Sequence, residues 1–308
     1  MRIVFFGTPE LALPSLAAVA QRHEVAAVVC QPDRPQGRSK QPVPPPTKVW
    51  AEEHGIPVHQ PVKLNDGAFQ AWIEAERPDV SVLVAYGRIL KQPILGVPPH
   101  GFINMHPSLL PRHRGPSPIQ TAILEGDTVT GITIMRLDAG TDTGDILLQE
   151  EMPIGPDDTT DSLSERLAKA GAGLLVEGLD RIATGAAVFT PQDHERATVT
   201  YRFDKAMGRV DWTQPATRIH NLVRAAYPWP MAQCELRGNV CKIHRSAVVP
   251  EETDASPGTV ARVEKDRMLV ATGKGLLAIV EFQPPGKRAM AVADFLRGHP
   301  MGAGERFE

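Results

Sequence analysis

The feature that most constrains the fold is an alternation of short apolar runs with amphipathic stretches through the first half of the chain. RIVFFG (2–7), EVAAVVC (24–30), VSVLVAYG (80–87), GFINMH (101–106) and GITIMRL (131–137) read as strands. TKVWAEEHG (47–55), FQAWIEAE (69–76), PIQTAILEG (118–126) and DSLSERLAKAGAGLLVEGLDRIATG (161–185) read as helices. Strands that alternate with helices predict an α/β domain on a largely parallel sheet, covered on both faces. Thr8 is expected to cap a helix opened by Pro9, with Glu10 in its first turn. The glycine of FFGTPE is not a nucleotide fingerprint, because GxGxxG needs three glycines and no GK[ST] follows.

In such sheets ligands gather beyond the carboxyl ends of the strands, which directs attention to INMHPSLLPRHRG (103–115). Side chains alternate along a strand, so Asn104 and His106 point the same way while Ile103 and Met105 face the packing. A second polar loop, LDAGTDTGDIL, follows the GITIMRL strand, and its Gly140 and Gly144 permit a sharp backbone course around Asp142. An amide donor and an imidazolium make a stabiliser for negative charge on a carbonyl oxygen, and a carboxylate beside the imidazole orients it. No Ser or Cys nucleophile accompanies them, so direct transfer to an external nucleophile is the natural reaction class. A solvated strand end and a loop Asp bonded to its own backbone remain open on these residues alone. The ten histidines form no HxH or HExxH spacing, and no metal site is expected.

The first domain is expected to end at Gly185 (1–185), with 186–207 as a linker and 208–308 as a second domain. That remainder opens with a helical stretch, ATRIHNLVRAAY (216–227). Short strand signals follow it: MAQCELRG, NVCKIHRSAVV, GTVARVEKD, RMLVATG and GLLAIVEFQ, the pattern of a small barrel. Charge divides along the same line. Residues 1–207 hold 19 Lys/Arg against 25 Asp/Glu, and residues 208–308 hold 14 against 11. The excess in the second part is consistent with a polyanionic partner and equally with a solvated surface. The segment QPDRPQGRSKQPVPPPTK (31–48) is too rich in proline to be expected as regular structure. Cys30, Cys234 and Cys241 form no CxxC pair and fit a reducing compartment. The opening MRIVFFGTPELALPSL lacks the basic flank and cleavage site of a signal peptide, and no stretch is long enough to span a bilayer. A cytoplasmic, monomeric protein without membrane contact is expected.

INMHPSLLPRHRGPSPIQTAI followed by TGITIMRLDAGTDTGDIL resembles the formyltransferases that use 10-formyltetrahydrofolate. The resemblance implies that Asn104, His106 and Asp142 are the catalytic set and that Ser108, Leu109, Leu110 and Pro111 line the folate site. Two positions depart from the family pattern: His113 stands where Trp is common, and Pro107 replaces a small residue. FFGTPELALPSL, VVCQPDRPQGRSKQPVPPPTKVWAEEHGIPVHQP, TYRFDKAMGRVDW and RAAYPWPMA are similar to the branch of that family acting on methionyl initiator tRNA. It implies a Rossmann-like catalytic domain, an OB-like C-terminal domain that helps hold tRNA, and tRNA contacts from Arg38 and Lys40 in the Pro-rich segment. The enzymatic alternative is the same chemistry on a small amine, an amino sugar or glycinamide ribonucleotide. A non-catalytic RNA-binding protein is the alternative of another class.

Overall fold

The computed structural model describes residues 1–35, 41–64 and 67–308. They form two compact units: Met1–Pro118, Val129–Pro153 and Ser164–Tyr201 in the first, Ile119–Thr128, Ile154–Leu163 and Arg202–Glu308 in the second. No described helix is long and apolar enough to cross a membrane.

The strands of the first unit are β1 (Arg2–Gly7), β2 (Glu24–Val29), β3 (Arg34–Pro35), β4 (Pro42–Val43), β5 (Val58–His59), β6 (Val80–Val84), β7 (Phe102–His106), β8 (Val129–Arg136) and β9 (Ile146–Pro153). Seven of them form one sheet in the order β5-β2-β1-β6-β7-β8-β9. The run from β5 to β7 is parallel, and β8 and β9 extend it antiparallel. The chain order reverses at β1, so the carboxyl ends of β1 and β6 border the crevice where such folds take ligands. Every residue of β7 is buried, as a strand covered on both faces requires. On one face Phe102 joins Phe6, Phe69, Tyr86 and Ile73 in an apolar cluster. On the other, Met105 meets the Ser15 hydroxyl at 3.6 Å, and its sulfur leaves no room for a Cβ at Gly171.

The helices are α1 (Leu13–Arg22), α2 (Pro46–Glu53), α3 (Ala68–Glu76), α4 (Gln92–Leu95), α5 (Pro118–Glu125) and α6 (Thr160–Ala183); α2, α3, α5 and α6 fall close to the expected spans, and α4 is not among them. Thr8 is not the cap of the first helix. Pro9 precedes a 3₁₀ turn at Glu10–Ala12, and α1 begins at Leu13. The Thr8 hydroxyl instead donates to the Tyr86 carbonyl (3.2 Å) and accepts from the Gln31 amide (3.3 Å), tying together the ends of β1, β2 and β6. The Pro-rich stretch is also more regular than expected. β3 and β4 pair antiparallel, Arg34 opposite Val43 and Pro35 opposite Pro42, and α2 already starts at Pro46. Two facing prolines can close so short a ladder because only Arg34 and Val43 need amide donors.

The second unit holds α7 (Ala216–Ala225), β10 (Ala232–Leu236), β11 (Asn239–Val249), β12 (Val260–Val263), β13 (Met268–Ala271), β14 (Leu276–Gln283), β15 (Met290–Ala291) and α8 (Val292–Gly298). The antiparallel order is β10-β11-β14-β13-β12, with β15 against β14. Residues 304–308 close the circle. Glu235 and Glu308 exchange both backbone hydrogen bonds (2.7 and 2.9 Å), while Val260 and Gly258 bond to Glu305 and Phe307 (2.7 and 2.8 Å). Phe307 is buried inside, 5.7 Å from the Trp212 ring and 6.1 Å from Phe282. Cys234 and Cys241 face each other across β10 and β11 as buried free thiols.

Candidate active site

Asn104 and His106 leave the end of β7 on one face, each 5% exposed. Among the described residues no hydrogen bond engages the Asn104 amide, whereas His106 is held from both ends. Its Nε2 lies 3.0 Å from the His113 carbonyl and its Nδ1 3.7 Å from Asp142 Oδ1. A carbonyl oxygen can only accept, so Nε2 carries the proton. Nδ1, beside the carboxylate, is the nitrogen left for the reaction. The structure therefore brings His106 and Asp142 of the expected set together, with Asn104 on the same face of β7 as His106, and it supplies a partner, the His113 backbone, that no side-chain pattern announces.

The Asp142 loop is folded back under constraint. Asp142 has φ +52° and His113 φ +59°, left-handed conformations that cost an L-residue roughly 1–2 kcal/mol each. Asp142 Oδ2 accepts the Gly115 amide at 2.8 Å. Gln192, buried, donates through Nε2 to the carbonyls of Asp142 (2.9 Å) and Gly144 (2.7 Å). Gly144 has to be glycine, since a Cβ there would overlap the Arg136 carbonyl oxygen. Gln192, with Thr198 and Thr200, lies in the stretch expected only to link domains. Thr198 Oγ1 accepts the His113 amide (2.8 Å), and Thr200 Oγ1 the Ser117 amide (3.1 Å).

The PSLLP turn is built around Thr133 of β8. Its hydroxyl donates to the Ser108 carbonyl (2.6 Å) and accepts from the Leu110 amide (3.1 Å) and from Gln149 Nε2 (2.8 Å). Gln149 also donates to the Leu110 carbonyl (2.9 Å). The Ser108 side chain is fully buried and donates to the Arg112 carbonyl (2.7 Å); Leu110 is buried, and Leu109 presses on Gly131. Pro111 remains half-buried at the end of the turn. The turn thus presents backbone and shape more than side-chain hydroxyl. Gln149, Gln192 and Thr133 carry no signal in the sequence; Thr133 lies within GITIMRL, which reads only as a strand.

At the end of β2 the Cys30 thiol is buried, and burial pushes it up to about 11, so it is no nucleophile at neutral pH. Lys48 bonds to both Asp33 oxygens (3.0 and 3.1 Å) and to Gln60 (3.1 Å). Gln60 and then Lys48 hold the Asp33 carboxyl below its ordinary range. Lys48 is therefore committed to the base of the Pro-rich segment. Arg38 and Lys40 lie outside the described residues.

A seven-stranded α/β sheet with an Asn–His–Asp cluster at its carboxyl edge has the features of a formyl transferase. Residues 1–179 match the family Formyl transferase, and residues 202–300 match Formyl transferase, C-terminal domain. The methionyl-tRNA formyltransferase of Acetivibrio thermocellus is 46% identical over 307 residues, covering 99% of each chain. That of Chloroflexus aggregans is 47% identical over 300 residues, covering 97% of each. The chain belongs to the methionyl-tRNA formyltransferase family. Among solved structures, WlaRD, a sugar 3N-formyl transferase crystallised in the presence of dTDP and 5-N-formyl-THF, superposes with a TM-score of 0.69. It is 20% identical and covers 94% of this chain and 99% of its own, a likeness of fold.

Proposed function

We propose that the protein formylates the α-amino group of methionine esterified to initiator tRNA, acting as a monomer in the cytoplasm. 10-Formyltetrahydrofolate supplies the formyl group: the bond from its carbon to N10 breaks as the bond to the methionine nitrogen forms, and the proton lost by the amine ends on N10. Asn104 donates its amide N–H to the formyl oxygen as that oxygen gains charge. Protonated His106, its Nε2–H fixed on the His113 carbonyl, donates its Nδ1–H to the same oxygen. Asp142 supports positive charge on the ring and relays the amine's proton. The turn at Ser108, Leu109, Leu110 and Pro111 holds the folate, chiefly through its backbone. In this reading residues 1–185 carry the chemistry, 186–207 both connect and brace the Asp142 and His113 segments through Gln192 and Thr198, and 208–308 hold tRNA together with Arg38 and Lys40.

The observation that carries the reading is the open Asn104 amide beside an imidazole held between a carbonyl and a carboxylate. The test is formyl transfer from 10-formyltetrahydrofolate to charged initiator tRNA against transfer to amino sugars and glycinamide ribonucleotide. Product on the small amines alone refutes the reading.

A further inference from the structure

We propose that Gln192 is a positioning residue that sets Asp142 against His106. The proposal rests on the reading that those two residues carry the chemistry. Gln192 is buried, and its amide is fully used. Both Nε2 hydrogens go to the carbonyls of Asp142 and Gly144, at 2.9 and 2.7 Å. The Oε1 oxygen accepts from Arg114 Nε and Nη2, at 3.1 and 2.7 Å. A side-chain amide has two donors and two acceptor lone pairs, and all four are matched here.

What those bonds connect gives the residue its role. Arg114 stands between His113, whose carbonyl receives the His106 Nε2–H, and Gly115, whose amide donates to Asp142 Oδ2 at 2.8 Å. One Gln192 amide therefore bridges the segment that fixes the imidazole and the loop that carries the carboxylate. It grips Asp142 at its own carbonyl, where φ is +52° and the left-handed backbone needs outside support. The orientation of the amide is also forced. Arg114, itself 7% exposed, has only donors to offer, so Oε1 must face it and Nε2 must face the two carbonyls. His194 Nδ1 takes a further Arg114 hydrogen at 3.0 Å, holding the guanidinium in place.

Gln192→Glu tests this. The substitution keeps the length and the acceptor contact with Arg114, but it sets an oxygen against two carbonyl oxygens and frees the loop. We expect kcat to fall about ten- to a hundredfold, the scale of a small misplacement of reacting groups. KM for folate and for charged tRNA should stay within about threefold, because Gln192 is buried and its amide is fully used within the protein. In an Asp142→Asn background, read by single-turnover quench, the same substitution should cost less than about twofold, since the carboxylate it positions is gone. The imidazole ¹⁵N spectrum of His106 in Gln192→Glu should move toward that of Asp142→Asn. If the Glu variant fails to fold, Gln192→Met, which keeps the length without donors, is read in its place. Wild-type kcat in the single variant, or an equal loss in both backgrounds, overturns the proposal while leaving Asp142 in its role. Full activity of Asp142→Asn alone overturns the reading of the site, and the proposal with it.

Discussion

Thr133→Val removes one oxygen from the first unit at nearly constant volume. The Thr133 hydroxyl is fully buried and serves three partners: the Ser108 carbonyl, the Leu110 amide and Gln149. Valine leaves the first two unpaired in a site closed to water, and each orphaned group costs about 1–3 kcal/mol. Gln149 keeps its bond to the Leu110 carbonyl, so it loses little. The two losses share one turn and one relaxation, which puts the net near 2–4 kcal/mol. For a unit of this size that lowers the first thermal transition by at least about 4 °C. The turn should also lose its shape, so the KM for 10-formyltetrahydrofolate should rise while the KM for charged tRNA holds. Thr133→Ser keeps the hydroxyl and serves as the control, expected within about 1 kcal/mol of wild type. The assay pairs a thermal melt with a folate titration on the three proteins. A Val variant with an unshifted melt and an unchanged folate KM refutes the argument that this hydroxyl builds the turn.

Asn104→Ala and His106→Ala should each lower turnover by roughly a hundredfold, the scale of losing one oxyanion donor, with circular dichroism unchanged; near-normal turnover removes that residue from the mechanism. Arg38→Ala should weaken use of charged tRNA and leave folate titration intact, with Arg38→Lys a partial rescue because lysine lacks the planar fork. Equal tRNA affinity in wild type and Arg38→Ala at low and moderate salt argues for a solvated loop. Burial, and then Arg224, holds the His220 imidazole below its ordinary range, and burial does the same to His23 and His59. Below about pH 6.5 the unfolded chain therefore binds more protons than the folded one, and stability falls as pH drops from there. Urea midpoints between pH 7.5 and 5.5 should decline in wild type and decline less in His220→Gln; identical slopes would count against the assignment. Phe307→Ala should destabilise the second unit by about 3–5 kcal/mol, seen as an early transition in calorimetry, and a single unshifted transition contradicts it.

The sequence carried the parts of the site that obey a local rule. Asn104 and His106 are legible because strand alternation puts i and i+2 on one face, and Asp142 because glycines flank it. Gln192 obeys no such rule: its meaning lies in which carbonyls and which guanidinium the fold brings to it. The same holds for Gln149, on a strand whose ILLQEEMP is half exposed and polar and so lacks the apolar signature of its neighbours. Thr8 looked like a cap because Pro9 follows it, but the adjoining carboxyl ends of β1, β2 and β6 offered its hydroxyl better partners than a helix end.

The seam made by residues 304–308 has a consequence for how the second unit comes together. β10 emerges early and can pair with β11 at once, with Val210 bonded to Gln233 on its other edge, yet at Glu235 and Leu236 that edge has no partner until 305–308 arrive, after every other strand of that sheet. β12 waits for the same residues. During synthesis or refolding both edges stand open, and an open edge is a template for a strand of another molecule. The step that seals the sheet is the one spanning the longest stretch of chain, so it is the slow one. Aggregation yield on refolding should therefore follow the speed of that last pairing more than the stability of the finished barrel.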